Sequence, residues 1–279
     1  MNAAAHPSLA AAWTETRGLR FLVPSSDLDG AASILFTTRT GGHSRDDYES
    51  LNLAFHVNDV PERVQMNRRA LTNALGRRQQ LPVVAEQVHG AHAARVGPLH
   101  AGTRWEQPER ALSATDALVT SAPLLPLTIL VADCAPVALV DPVRRVAGAI
   151  HAGWRGLTAG VVERTWELME ATWGCSPDDV LAWIGPSIGP CCYEVGPDVA
   201  REFPSRFLTA GVGDRSMLDL SGAVVDRLIG LGLSQSSVSR ADQCTCCLSE
   251  HYFSYRRARR EGRLETGRQA MLIWLNSNR

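Results

Sequence analysis

The chain has 279 residues, 45% of them hydrophobic and 20% charged, with a formal net charge of −1. That balance is ordinary for a globular protein with a substantial core, and it gives no electrostatic reason to expect nucleic acid or an anionic membrane as partner. No apolar run approaches the roughly 18 residues of a membrane-spanning helix. The seven cysteines include the adjacent pairs Cys191-Cys192 and Cys246-Cys247, a poor disulfide framework, so a reducing, cytoplasmic setting is expected.

Residues 1–18 are Ala-rich, lack a basic n-region and are broken by Pro7. They read as a loose tail rather than a signal peptide, with one domain expected over 19–279. Ser33–Thr38 reads as a strand stopped by Gly41-Gly42, which leaves Arg39 at a strand end where it can meet either a ligand or solvent. Asn52 and His56 fall in a short loop or strand before a helix that starts at Pro61, carries Val64, Leu71 and Leu75 as its apolar stripe, and stops at Gly76. Arg63, Arg68 and Arg69 are expected on the solvent side of that helix. A further apolar run, Leu81–Val88, ends in Glu86-Gln87-Val88-His89-Gly90 and sets His89 at a strand terminus, with His92 close enough to compete with it as a ligand. Residues 97–113 read as a polar loop, and Ala114–Thr120 as a short strand.

The stretch Leu127–Gly156 has two apolar runs flanking Asp-Pro-Val-Arg-Arg, the outline of a β-hairpin. A turn centred on Pro142 and Val143 pairs Cys134 directly with His151, at a Cβ separation of about 4.5–5.5 Å. A thiolate and an imidazole so placed can share a metal ion or act as nucleophile and base. Each residue taken singly is more often structural. The punctuation favours chemistry: Asp133 and Pro136 interrupt an otherwise buried strand, and Gly153 and Gly156 bracket Trp154 and Arg155.

Leu157–Trp173 has helical spacing, with Val161, Val162, Trp166, Leu168 and Met169 inside and Glu163, Glu167 and Glu170 outside. A strand at Val180–Ile184 leads into the Gly- and Pro-rich GPSIGPCCYEVG, a rigid loop able to wall a pocket. Its Cys191-Cys192 pair has no partner at metal spacing and reads as structural. A helix follows over Asp219–Leu231. Cys244, Cys246, Cys247 and His251 lack the usual CxxC spacing of a zinc site, so that reading is set below a structural one. Arg256 to Arg263 read as a solvated basic loop, and Ala270–Leu275 as a closing strand. Interspersed strands and helices indicate a mixed α/β fold of two or more layers.

Taken together, TTRTGGHS, SLNLAFHV, EQVHG, ADCAPV, HAGWRGL, GPSIGPCCYEVG and FSYRR resemble the laccase-domain family, labelled polyphenol oxidases and also purine nucleoside phosphorylases with adenosine deaminase activity. The resemblance runs from Ile34 to Leu275. It implies a layered α/β sandwich with a mixed sheet, like the necrotising-factor type of cysteine hydrolase. It also implies one divalent metal, usually zinc with copper as the alternative ion. By motif the metal's His, Cys and His ligands fall on His89, Cys134 and His151, which selects His89 over His92. The implied reaction takes adenosine, inosine, guanosine or methylthioadenosine with phosphate to the free base and ribose 1-phosphate. Arg39, Asn52, His56 and Gln87 would contact substrate or phosphate, Arg39 holding phosphate and His56 donating a proton. Neither nucleic acid nor membrane is implied as a partner, and the chain would be a monomer or weak homo-oligomer. Two alternatives stand beside this reading, a copper-dependent polyphenol oxidase and a metal-free hydrolase with Cys134 as nucleophile and His151 as base. The chain departs from the family in VADCAPV, where TADCLPV is usual and alanine would enlarge the pocket, and in a longer ARREGRLE loop.

Overall fold

The computed structural model describes residues 11–24, 30–76, 81–106 and 112–277. Its strands are β1 Ala12–Thr16, β2 Leu19–Val23, β3 Ala32–Thr37, β4 Val83–Val84, β5 Ala93–Arg95, β6 Ala117–Thr120, β7 Leu127–Val131, β8 Ala135–Asp141, β9 Val146–Ala152, β10 Leu181–Ile184, β11 Glu194–Val195, β12 Leu208–Ala210, β13 Ser216–Leu218, β14 Val238–Arg240 and β15 Gln269–Leu275. The helices are α1 Pro61–Ala74, α2 Trp154–Thr158, α3 Val161–Trp173, α4 Pro197–Ala200, α5 Leu220–Gly230 and α6 Tyr255–Arg260.

Among the described residues, two six-stranded sheets have the orders β1-β2-β3-β15-β7-β4 and β14-β10-β8-β9-β6-β5, and β11-β13-β12 form a small third. Both large sheets are mixed, with β4/β7, β5/β6 and β10/β14 parallel. They pack face to face, Phe36, Ile129, Met271 and Ile273 of the first meeting Leu118, Ala138, Val140 and Trp183 of the second. The outer face of the second sheet is covered by α3 and α5 through Val161, Trp166, Met169, Val224 and Leu228. That of the first is covered through Leu51, Leu53, Leu71 and Trp105. With cover on both faces, every residue of β8, β9 and β15 is buried, which is why these antiparallel strands read as continuous apolar runs instead of alternating. The layered, mixed α/β architecture is as expected, with several sheets in place of one.

Four expectations change. Ala12–Thr16 is not loose: it pairs with β2 across a turn in which Arg17 (φ 52°) and Gly18 (φ 78°) are both left-handed, and Arg20 lies 4.2 Å over the Trp13 ring. Residues 1–10 lie outside the described residues. Arg68 is buried at 3% exposure, donating to the carbonyls of Leu53 and Trp105 at 2.8 Å each and to that of Arg104. It therefore ties α1 to two loops instead of facing water. The helix expected over Leu157–Trp173 is two, α2 and α3, separated at Gly160 (φ 89°).

The fourth change concerns the hairpin. Its first apolar run is two strands in different sheets, and the chain crosses between them at Ala132-Asp133-Cys134, where Asp133 takes φ 98°. Asp141 Oδ1 accepts from the backbone N–H of Val143 (2.9 Å) and Arg144 (2.7 Å), which centres the turn one residue further on than Pro142-Val143. Pro136, not Cys134, therefore faces His151. A slip of two residues keeps each side chain on its side of the sheet, whereas a slip of one would have parted the pair. Cys134 accordingly sits at the mouth between the two sheets, beside the end of β9 that carries His151.

Candidate metal site

His89 is held by a turn it does not itself make. It adopts φ 61°, and the N–H groups of Val88, His89 and Gly90 all point at the Asp116 carboxylate, at 3.2, 2.9 and 2.7 Å. Asp116 Oδ1 also hydrogen-bonds His151 Nδ1 at 2.8 Å, and the Asp116 carbonyl accepts from the His151 N–H at 2.8 Å. One fully buried carboxylate thus places the His89 loop and orients the His151 ring, leaving Nε2 as that ring's remaining ligand atom. Sequence reading missed Asp116. The available signal was an aspartate directly before the apolar β6, where a strand start needs no charge.

The ligand atoms of His89, Cys134 and His151 lie within 4.8 Å of one another. Cys134 Sγ is 3.9 Å from His89 Nδ1, and the two imidazole rings are 4.7 Å apart at 61°. Gly153 makes the approach feasible: a Cβ there would stand 2.7 Å from His89 Nδ1 and 2.9 Å from Cys134 Sγ. His89 is exposed, Cys134 half-buried and His151 buried, so the group is open on one side. His92 is not part of it.

Charge in the site is shifted toward a thiolate. Burial alone would raise the Cys134 thiol, but the His151 imidazolium and hydrogen bonds from His151 and His89 outweigh it and bring it below its ordinary value. Burial would likewise lower His151, and the Cys134 thiolate and Asp116 reverse that. Burial would also raise Asp116, yet its hydrogen bonds from His151 and from Gly90 and Val88 hold it down. Thiolate, imidazolium and carboxylate form a chain in which each stabilises the next.

Of the expected contact residues, two are near a cleft and two are not free. His56 and Gln87 line a cleft of about 180 Å³ together with Phe55, Val88, Arg68 and Arg104. Partial enclosure, then the charges of Arg268, Arg104 and Arg68, push the His56 imidazole down to about 4. Because the ring is exposed, the three guanidiniums are the firmer cause. Gln87 spends one donor and one acceptor on the backbone of Leu130, at 2.8 and 2.9 Å. Asn52 is fully buried and saturated: its Nδ2 donates to Ala54 O and Asp59, and its Oδ1 accepts from Ala54 and Arg268 N–H. It holds backbone in place and has no atom left for substrate. Arg39 lines a different cavity, where it donates to the carbonyls of Glu49 and Ser249 and lies over Phe253. Arg268 donates to the carbonyls of Thr266 and Gly267 in its own loop, and its charge, with those of Arg104 and Arg68, acts on His56.

The remaining cysteines converge too. Cys191, Cys192, Cys244 and Cys247 bring their sulfurs within 4.8 Å of one another, although Cys191-Cys192 was read as partnerless. Cys246 and His251 stay out of this group: Cys246 meets Arg260 and His251 packs on Trp13. Nor is the basic run simply solvated, since Arg256, Arg257 and Arg260 donate to carbonyls of the two cysteine-bearing loops.

The profile of the family described as multi-copper polyphenol oxidoreductase laccase matches residues 33–276. Purine nucleoside phosphorylase YfiH of Shigella flexneri is 35% identical over 262 residues, covering 92% of this chain and 99% of that one. Purine nucleoside phosphorylase ORF3 of Streptomyces griseus is 38% identical over 257 residues, covering 90% and 98%. The crystal structure of YlmD from Geobacillus stearothermophilus superposes with a TM-score of 0.89 at 30% identity, covering 97% of this chain and 100% of that one.

Proposed function

The chain belongs to the multi-copper polyphenol oxidoreductase laccase family, and from that premise we propose that it is a purine nucleoside phosphorylase with a divalent metal, zinc, held by His89, Cys134 and His151. The observation that carries this reading is the convergence of two imidazoles and one thiolate, open on one side. Three protein ligands with a free position are the catalytic form of a zinc site. The donors fit such an ion: Asp116 takes the Nδ1 side of the His151 ring and leaves Nε2 to the metal, which displaces the proton there, and Gly153 leaves room for the ligands alone. When bound, zinc supplies Lewis acidity at that open position.

The protein's own part is to hold an anion and a nucleoside beside the centre. In phosphorolysis a phosphate oxygen bonds to the ribose anomeric carbon as the bond to the purine nitrogen breaks, giving ribose 1-phosphate and a base that must gain a proton. Arg268 is the phosphate-holding cation of this reading in place of Arg39, because Arg39 lines another cavity while the charge of Arg268 acts on His56. His56 is neutral at pH 7, so it is no imidazolium donor until an anion beside it raises its proton affinity. Adenosine, inosine, guanosine and methylthioadenosine are the substrates of this reading. Deamination of adenosine at the same centre, with water in place of phosphate, belongs to it as well. So do a cytoplasmic location, a single catalytic domain that takes in strand β1 as well as 19–279, and a monomeric or weakly associated chain.

The test is hypoxanthine release from inosine, with and without phosphate, before and after chelation and zinc return. Activity should need both, and Arg268→Lys should raise the KM for phosphate about tenfold or more with metal content unchanged. Cleavage that continues in phosphate-free buffer after chelation would overturn the proposal. That result would select the second reading, a metal-free cysteine hydrolase of the necrotising-factor type, which the order Asp116–His151–Cys134 favours by matching an orienter, a base and a nucleophile. Covalent labelling of Cys134 by substrate would mark it. The copper-oxidase reading has less support. A multi-copper cluster needs many imidazoles, yet of the chain's eight histidines only His89 and His151 join a metal-donor group among the described residues.

A further inference from the structure

We propose that Cys191, Cys192, Cys244 and Cys247 form a second metal site, a closed four-thiolate centre for a zinc-type divalent cation, which stiffens the wall behind Cys134. It is independent of the phosphorylase reading and uses none of the same residues.

The argument begins with sulfur geometry. Zinc–sulfur bonds of about 2.3 Å in a tetrahedron set the sulfurs about 3.8 Å apart. Here Cys191 and Cys192 lie 3.6 and 3.4 Å from Cys247, and all four sulfurs fall within 4.8 Å of one another. Cys247 is almost equally close to two neighbouring cysteines, which is the pattern of a shared centre and not of one disulfide. The spacing is far from that of adjacent residues in one knuckle, because Cys191-Cys192 and Cys244-Thr245-Cys246-Cys247 come from separate loops.

Backbone meets one of the four sulfurs with a donor. The Gly189 N–H donates to Cys244 Sγ at 3.2 Å, and a Cβ on Gly189 would press at 3.3 Å on both Cys191 Sγ and Cys244 Cβ. The glycine lets backbone approach two sulfurs closely, and its N–H stabilises charge on one of them. The two loops are held in register without any ion: Thr245 N–H donates to Ser187 O at 3.0 Å, Arg260 to Cys192 O at 2.9 Å, and Arg257 to Thr245 O and Cys246 O at 2.9 and 3.0 Å. The four sulfurs are thus brought together by the fold, as a ligand set must be to bind well. Four thiolates leave no open position, which is the structural form of a zinc site.

The same loops meet the residue before Cys134. Thr245 Oγ1 donates to Asp133 Oδ1 at 2.7 Å, Arg256 N–H to Asp133 Oδ2 at 2.6 Å, and Ile188 N–H to Asp133 O at 2.9 Å. Asp133 holds a left-handed backbone at φ 98°, which a non-glycine residue keeps only when its surroundings impose it. An ion cross-linking the two loops would fix the bonds from Thr245 and Ile188, and through them the direction in which Cys134 leaves the backbone.

The experiment counts metal and maps thiols in the full chain, purified under reducing conditions, with Zn²⁺ as the probe. Wild type should bind two equivalents, Cys247→Ser one, and Cys134→Ala one, so each site fails separately. In the unmutated protein, which removes any doubt about folding, Zn²⁺ should slow alkylation of the exposed Cys191 and Cys247 by about tenfold or more, because the metal-bound thiolate is withheld from reaction. Alkylation of these two at the same rate with and without Zn²⁺ would overturn the proposal. So would Cys247→Ser with wild-type metal content, Cys134→Ala with none, or recovery of Cys191 or Cys192 disulfide-bonded to Cys247 in protein that takes up no second equivalent after reduction.

Discussion

Gly153→Ala separates site geometry from general stability. Gly153 has φ −79° and ψ 167°, extended backbone that alanine adopts freely, so no conformational strain accompanies the change. Its cost as a helix N-cap is a few tenths to about 1 kcal/mol, and it is offset by a similar gain from the stiffer unfolded chain. The added methyl would lie 2.7 Å from His89 Nδ1 and 2.9 Å from Cys134 Sγ, against ordinary contacts of about 3.5–4.0 Å. The two ligands must then part by roughly 0.8 Å, an overpacking worth about 1–3 kcal/mol. His89 is exposed and can swing away when nothing holds it, so the cost falls on the metal-bound state. At about 1.4 kcal/mol per decade, zinc affinity should weaken roughly 10- to 100-fold. The assay is chelator competition for Zn²⁺ beside thermal melting of the metal-free protein, with Gly97→Ala as a control in open space. Wild-type zinc affinity, or a metal-free melting temperature that falls as far as the zinc-bound one, would refute the reasoning.

Asp116→Asn keeps the shape but points an amide nitrogen at N–H donors, which should cost about 1–3 kcal/mol for each group left unpaired and weaken metal binding roughly 10- to 100-fold; unchanged zinc affinity would count against Asp116 as the orienting group. Asn52→Ala should lower the denaturation midpoint by the equivalent of about 2–4 kcal/mol while the KM values for nucleoside and phosphate stay put, because all four hydrogen-bonding positions of that side chain serve the protein. A raised KM with unchanged stability would return Asn52 to the substrate. Native His56 stays neutral down to about pH 4, whereas the unfolded chain takes up that proton from about pH 6.5. Stability is therefore lost as pH falls through this window and flat above it, and His56→Gln should flatten the slope there. Parallel melting curves for variant and wild type between pH 4 and 6.5 would show the field of the arginines to be screened.

What the sequence by itself determined is local. DC-x-P and HAGWRG stand out in the sequence because a strand buried on both faces has no use for an aspartate, a proline or closely set glycines. The apolar runs Leu127–Val131, Val146–Ala152 and Gln269–Leu275 are legible as strands for the same reason. The direct pairing of Cys134 with His151 was wrong, Pro136 taking that place, but the two side chains still converge because the displacement was even and side-chain parity survives it. Arg68 could not be read as buried from a helix that otherwise showed a conventional stripe. The carbonyls that draw it inward belong to loops at Leu53 and Trp105, and nothing in its own neighbourhood encodes them. Asp116 reaches the site only because β6 lies next to β9 in the sheet, while its carboxylate turns back to the loop at His89. Cys191 and Cys192 meet Cys244 and Cys247 through a bridge between Ser187 and Cys244. Periodicity and turn chemistry act over a few residues and are written in the order of the chain. Which distant segments lie side by side is decided when the sheets and helices bury their apolar faces together, and that choice is made by the whole core at once.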